Sequence, residues 1–197
     1  AAATLERTRL FEVARRQVDE LTVLHAVATA GAEAVDADQL IERVTATLGE
    51  RLFLAHLGVM LVVPGTGLLR SHSSYRGDSG FVTPLGQGIT GHVALTGQPA
   101  RVADVSTDPR FVAVETGTRS ELCVPLRVGE AIIGVLNVES PQLAAFTEAD
   151  ERLLSTIARQ ISTALEKLRL FERLFQAEQQ RAGELEAVRQ ASLGLTA

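Results

Sequence analysis

Residues 120–140 read SELCVPLRVGEAIIGVLNVES and predict two long apolar strands joined by a tight turn at Gly129-Glu130. Hydrophobic side chains run almost without a break along both strands, which is typical of the centre of a sheet covered on both faces. Each strand carries one internal glutamate, and the segment has no plausible nucleophile, metal cluster or phosphate-binding loop. It therefore favours a protein that binds or transmits over one that catalyses a reaction.

Amphipathic helices are predicted on the N-terminal side of these strands. The first covers 5–31, and its heptad-like seam includes Leu10, Leu21 and Leu24. The second covers 37–52, because Asp36 is a favourable N-cap followed by Gln39 three residues later. A β-rich run at 56–63, closed by Pro-Gly-Thr-Gly, then predicts a hairpin with 68–76 as its returning strand.

A third long helix is predicted after the strand pair. Thr147 opens a capping box with Asp150, and apolar residues then recur at steps of three and four. The seam is longer than core burial requires, so we expect this helix to pair with a partner helix. The residues assigned to the predicted dimer interface are Leu10, Leu21, Leu24, Leu154, Ile157, Ile161, Leu168 and Phe171.

Composition limits the classes of function. The chain has 197 residues, 46% of them hydrophobic and 22% charged, with a net charge of −5. An acidic chain does not suit general binding to nucleic acid or to an anionic membrane. Its longest apolar run, at 52–63, is too short to span a bilayer. A single cysteine, Cys123, suits a reducing cytoplasm, and a start without methionine suggests a fragment of a longer protein.

Three spaced segments together resemble the GAF domains of bacterial signalling proteins. They are GQGITGHVALTGQPARVADVSTDPRF at 86–111, the strand pair with Pro141, and AFTEADERLL at 145–154. The resemblance implies an α+β fold with a six-stranded antiparallel sheet. It places the terminal helices on one face and pocket-forming loops and short helices on the other. The implied divisions are an N-terminal signalling helix at 1–31, a core at 32–150 and a coiled-coil linker helix at 151–197.

The two ends of the chain echo each other. Arg9-Leu10-Phe11-Glu12 matches Arg173-Leu174-Phe175-Gln176, and Glu20-Leu21 matches Glu184-Leu185 at the same offset. One interpretation is a tandem array in which the last helix enters a second copy of the domain. The other is that two amphipathic helices have similar compositions.

The implied pocket is predicted to take a small, largely apolar ligand with one or two polar groups, although an empty pocket fits equally well. Its predicted lining residues are Tyr75, Phe81, Ile89, His92, Val93, Asp104, Phe111 and Cys123. The G-x-G-x-x-G at 86–91 lacks the context of a dinucleotide site, but the helix that it opens could bind an anion through backbone N–H groups. Four scattered histidines predict no metal site, and no cofactor is identified.

The predicted function is a cytoplasmic regulatory module rather than an enzyme. As a homodimer it would sense a small molecule and signal through its terminal helices to an output domain of the same polypeptide, such as a histidine kinase or a cyclic-di-GMP enzyme. The alternatives are a ligand-free dimerisation spacer and a thiol redox sensor based on Cys123. Methionine sulfoxide reduction, known from some GAF proteins that use several cysteines, is not expected of a chain with one cysteine.

Overall fold

A computed structural model describes residues 2–52, 56–76, 80–113 and 117–194, with the side chains of 2–13, 15, 16 and 186–194 left out of the description. The helices are α1 (Ala2–Glu33), α2 (Ala37–Arg51), α3 (Gly88–Thr96) and α4 (Glu148–Gly194), with a short 3₁₀ helix at Val105–Thr107. The strands are β1 (His56–Val63), β2 (Leu68–Ser71), β3 (Val82–Pro84), β4 (Ala100–Val102), β5 (Ser120–Val128) and β6 (Ala131–Ser140).

The six strands form one antiparallel sheet in the order β3-β2-β1-β6-β5-β4. The two strands predicted from the opening segment, β5 and β6, lie inside the sheet and are joined by a turn in which Gly129 has a φ of 56°. Apolar clusters cover both faces of the sheet, as its apolar strands indicated. The α+β fold class with a six-stranded antiparallel sheet is confirmed.

Three helices cover one face of the sheet. Buried side chains of α1, α2 and α4 pack with those of β1, β5 and β6 in a single apolar cluster. Two caps expected from the sequence are present: Asp36 accepts a hydrogen bond from the Gln39 amide, and Thr147 forms a reciprocal capping box with Asp150. Among the described residues, no helix is both long and apolar enough to cross a membrane.

Most of the predicted dimer seam on α4 is used inside this chain. Leu154, Ile157, Ile161 and Leu168 are buried in the cluster between the helices and the sheet. They are needed to hold α4 on the domain, so their assignment to a dimer interface is corrected. The packed core consequently continues past the boundary predicted at residue 150.

The other predicted interface residues have different surroundings. Leu24 is partly buried against the same cluster, whereas Leu21 and Phe171 are 66% and 60% exposed. The side chain of Leu10 lies outside the described residues. Only Leu21 and Phe171 of the predicted set are thus seen to be free for a partner.

A second apolar cluster lies on the opposite face of the sheet. It joins α3, β4 and the 3₁₀ helix to the inward-facing side chains of β1, β2, β5 and β6. Gly91 lets α3 approach the end of β3, because a Cβ there would lie 2.5 Å from the carbonyl oxygen of Pro84. This close packing fixes the start of α3 over the sheet and leaves a cavity beside it.

Candidate functional site

The cavity lies between the first turn of α3, strand β3, the segment after the 3₁₀ helix and the polar end of the β5–β6 pair. Its volume is about 230 Å³. Apolar walls and a polar floor surround it, which suits a small ligand oriented by a few polar contacts. The lining residues are Phe81, Val82, Thr83, Pro84, Gln87, Gly88, Ile89, Thr90, Phe111, Val112, Glu121, Asn137 and Glu139.

The floor is built from neighbouring positions on β5 and β6. Glu121 pairs directly with Glu139, and Cys123 pairs with Asn137. Because side chains alternate along a strand, these four residues face the same side of the sheet. Two carboxyl groups are therefore held side by side at the cavity floor.

Glu139 is held in place by hydrogen bonds. Its Oε2 accepts from the Thr118 hydroxyl at 2.6 Å, and its Oε1 accepts from Asn137 Nδ2 at 3.1 Å and from the Tyr75 hydroxyl at 3.4 Å. Burial and the nearby Glu139 raise the pKa of Tyr75 well above its usual value, so Tyr75 remains a donor. These donors suit a carboxylate at Glu139.

Glu121 is the more deeply buried acid, with 4% of its surface exposed. Burial, followed by the charge of Glu139, raises its pKa from 4.5 to about 8. Glu121 is consequently protonated at neutral pH and can donate a hydrogen bond or a proton into the cavity.

Asn137 carries an unpaired acceptor at the cavity floor. Its Nδ2 donates to the Tyr75 hydroxyl at 3.0 Å and to Glu139, whereas its Oδ1 is buried and has no hydrogen-bond partner. The Glu139 oxygen requires a donor, which fixes which way the amide points. A buried acceptor beside a cavity can accept a hydrogen bond from a neighbouring donor, from water or from a ligand in the cavity.

Cys123 is fully buried and does not belong to the cavity lining. Burial, with Glu121 and Glu139 adding to it, raises the pKa of its thiol well above the usual value. A reactive cysteine needs an accessible, electropositive setting. Here the thiol is an uncharged packing group under the floor.

The structure separates the predicted pocket residues into three groups. Phe81, Ile89 and Phe111 line the cavity. Tyr75, Val93 and Cys123 belong to the apolar cluster around it, and Tyr75 also reaches the floor through its hydroxyl. The remaining two lie elsewhere.

His92 and Asp104 are corrected as lining residues. His92 lies on α3 but outside the lining. Asp104 is used as the cap of the 3₁₀ helix, where it accepts hydrogen bonds from the amide and hydroxyl of Ser106. Within the described parts of the chain, no three His, Cys, Asp or Glu side chains are grouped so that they could hold a metal ion.

The predicted set of pocket residues contains none of the residues that form the polar floor of the cavity. The acid–base and amide groups at the cavity floor belong to Glu121, Asn137 and Glu139. Their signal was an acidic residue inside each of two otherwise apolar strands. Only the strand register shows that the two acids meet.

Comparison with known proteins gives a family match and several named relatives. The family model described as "GAF domain" matches residues 34–166. The chain is 35% identical over 82 residues to the free methionine-R-sulfoxide reductase of Escherichia coli (strain K12), and equally to Protein YtsP of Bacillus subtilis (strain 168). Each match covers 42% of this chain and 50% of the relative. The chain thus spans about half the length of these curated relatives.

A solved structure supports the same likeness. The free methionine-R-sulfoxide reductase of Neisseria meningitidis, in complex with its substrate, aligns with a TM-score of 0.71 at 27% identity. The alignment covers 77% of this chain and 90% of the reductase. Relatives that are enzymes contradict the prediction of a non-enzymatic regulatory sensor, together with its histidine-kinase and two-component context. That prediction was wrong because it treated the single cysteine as decisive.

Proposed function

The chain belongs to the GAF domain family, and from that premise we propose that its cavity is the active site of a reductase for a free amino acid of the methionine sulfoxide class. The relatives named as free methionine-R-sulfoxide reductases support this substrate class. A cavity of about 230 Å³ is smaller than the roughly 300–1,000 Å³ of drug-sized ligand pockets, and it suits one amino acid.

The observation that carries the proposal is a buried carboxyl group at the cavity floor, Glu121, paired with Glu139 on the neighbouring strand. Reducing a sulfoxide breaks its S–O bond, and the oxygen must be protonated to leave as water. Glu121 is buried with a pKa of about 8, so it holds a proton at neutral pH and faces the cavity. It is our candidate for the general acid, while Glu139 stays fixed by its three donors.

The two electrons that reduce the sulfoxide come, in this proposal, from thiols outside this chain. Two thiols and one sulfoxide give one thioether, one disulfide and one water, with the two thiol hydrogens leaving in the water. Cys123 is excluded as the nucleophile by its burial and its raised pKa. A small dithiol or a thiol protein of the cytoplasm would supply both electrons, and we place the chain in that compartment.

The role of Glu121 as the general acid is tested by comparing it with Glu130, a glutamate outside the cavity. Initial rates of methionine formation from L-methionine-R-sulfoxide and dithiothreitol are measured for the wild type, Glu121→Gln and Glu130→Gln. General acids typically contribute about 10²- to 10⁴-fold, so Glu121→Gln should lower the rate at least a hundredfold. Glu130 is exposed in the β5–β6 turn and serves as the matched control. Equal rates for both variants would overturn the role of Glu121.

A further inference from the structure

We propose that Asp108 and Arg110 are a positioning pair for Glu121: their ion pair holds Phe111 in the cavity wall and keeps one negative and one positive charge near the buried acid. The inference rests on the proposed function only for the role of Glu121 as the general acid. Its test is a titration that does not depend on turnover. The pair and the reductase assignment can therefore fail separately.

The ion pair is made by three hydrogen bonds from one residue to one carboxylate. Arg110 donates to Asp108 Oδ1 from its backbone N and from Nε, both at 2.9 Å, and to Oδ2 from Nη2 at 2.6 Å. A guanidinium that meets both oxygens of a carboxylate is fixed in orientation as well as in distance. The Asp108 side chain is only 12% exposed. The side-chain hydrogen bonds from Arg110 lower the pKa of Asp108, which is therefore charged at neutral pH.

The same pair closes a tight turn that leads into the cavity wall. The amide of Asp108 donates to the Val105 carbonyl oxygen at 3.2 Å, and the amide of Phe111 donates to the Asp108 carbonyl oxygen at 3.1 Å. Phe111 lines the cavity and packs, partly buried, against the apolar cluster on that face of the sheet. Val112 continues the lining and is 49% exposed. Loss of the ion pair would loosen this turn and with it the position of Phe111.

The charges of the pair also act on the buried acid. Glu121 lines the same cavity as Phe111. Burial is the largest cause of its raised pKa, and the charge of Glu139 is the next. Of the smaller contributions, Asp108 raises this pKa and Arg110 lowers it. The two charges thus oppose each other at Glu121, and removing either one leaves the effect of the other uncompensated.

Other titratable groups surround Glu121. Glu139 faces it from β6. Tyr75 and Cys123 stay uncharged at neutral pH, because burial raises the pKa of both groups. His92 on α3 acts on Asp108, whose pKa it lowers after the larger effects of Arg110. Arg110 supplies the positive charge that acts on Glu121 itself.

The test uses the opposite signs of the two charges. The side-chain carboxyl carbon of Glu121 is followed by NMR from pH 5 to 10 in protein labelled with ¹³C-glutamate, and Glu121→Gln assigns its signal. Asp108→Asn should move the midpoint of this titration down and Arg110→Gln should move it up. Each midpoint should move by at least about 0.5 pH unit, as expected for a unit charge roughly 10 Å away. A turn that was merely loosened would move both midpoints in the same direction.

A second ion pair serves as the matched control. Arg101 Nε lies 3.0 Å from Glu151 Oε2, and the two side chains are 33% and 34% exposed. Arg101 is paired with Leu122 of β5, whose side chain belongs to the cluster under the helices. Arg101 therefore points away from the cavity. Arg101→Gln and Glu151→Gln should leave the Glu121 midpoint unaltered.

Arg110→Lys separates position from charge. Lysine keeps the positive charge but cannot meet both oxygens of Asp108 in the same way. The Glu121 midpoint should stay near the wild-type value, whereas amide hydrogen exchange at Phe111 should become at least about tenfold faster, the loss expected for one charge-assisted hydrogen bond.

Midpoints that stay fixed, or that move together, in Asp108→Asn and Arg110→Gln would overturn the electrostatic role of the pair. Unchanged exchange at Phe111 in both Arg110 variants would overturn its positioning role. Turnover of the sulfoxide, measured separately, decides the reductase assignment in every case.

Discussion

At the scale of single residues, Glu121 couples the site to the stability of the fold. Its pKa rises from 4.5 to about 8 on folding, so the folded state keeps a proton that the unfolded chain releases between these values. The contribution of this proton to the stability of the folded state is complete below pH 4.5 and is lost as the pH rises through about 8. Over this window the free energy of unfolding should fall by about 1.4 kcal/mol per pH unit.

Glu121→Gln should remove most of that slope, because glutamine does not titrate. Denaturant unfolding of the wild type and variant at pH 5, 6, 7 and 8 measures it. Glu130→Gln should keep the wild-type slope. If the slope of Glu121→Gln matches the wild type as well, Glu121 does not hold a proton in the folded state.

Cys123 gives a second prediction at this scale. Cys123→Ala should lower stability by about 1 kcal/mol, a usual cost for a small buried change. It should leave the dithiol-dependent rate of sulfoxide reduction unchanged, because the thiol is fully buried and protonated. Complete loss of turnover in a folded Cys123→Ala variant would show that the electrons pass through this chain's own thiol.

At the scale of elements, the position of α3 depends on its close approach to β3. Gly91→Ala would push a Cβ to within 2.5 Å of the Pro84 oxygen, so α3 must move and distort the cavity. We expect a loss of about 1–3 kcal/mol in stability, the usual cost of overpacking, together with weaker ligand binding. Gly183→Ala on α4 meets open space and is the matched control, expected to be neutral or slightly stabilising.

Chemical denaturation and methionine binding of these two variants are the measurements. A Gly91→Ala variant as stable as Gly183→Ala would mean that the contact with Pro84 does not fix α3.

The elements were largely predictable from the sequence, and the site only partly. β1, the caps of α2 and α4, and the β5–β6 pair follow from alternation, turn residues and capping patterns. The predicted return strand at 68–76 is instead a short β2 followed by an isolated bridge at Arg76. Phe81, Ile89 and Phe111 could be placed near the cavity because they lie in the long middle segment, 77–111, which the resemblance to GAF domains makes the pocket-forming connection.

The floor could not be predicted in the same way. That Glu121 faces Glu139, and that Asn137 keeps a free oxygen, depends on which residues of two strands are paired. Register is a property of the folded sheet, and a shift of one residue would send these side chains to the other face.

At the scale of the whole molecule, α4 continues beyond the packed domain with an exposed apolar surface. This surface consists of Leu170, Phe171, Leu174, Phe175 and Leu185. Neighbouring exposed apolar side chains on a helix are typical of a contact with another helix. We expect two copies of the chain to associate through it, which keeps a homodimer as a prediction although most of the seam first assigned to it lies in the core.

Changing Phe171 and Phe175 together to Glu should give a monomer in sedimentation velocity, with the unfolding midpoint little changed. Ile161→Glu is the contrasting variant, because Ile161 is fully buried against the sheet. An unpaired buried charge is costly, so this chain should unfold rather than dissociate. A double variant that sediments like the wild type would exclude this surface as the interface.

Reductase activity is tested most directly by incubating the chain with mixed R and S diastereomers of free methionine sulfoxide and a dithiol, followed by chromatography of each diastereomer. The R form should disappear far faster than with dithiol alone, and methionine should form in equal amount. At a constant concentration of thiolate, the rate should fall as the pH rises through about 8, where Glu121 loses its proton. Loss of neither diastereomer above the rate with dithiol alone would contradict the proposed reductase activity.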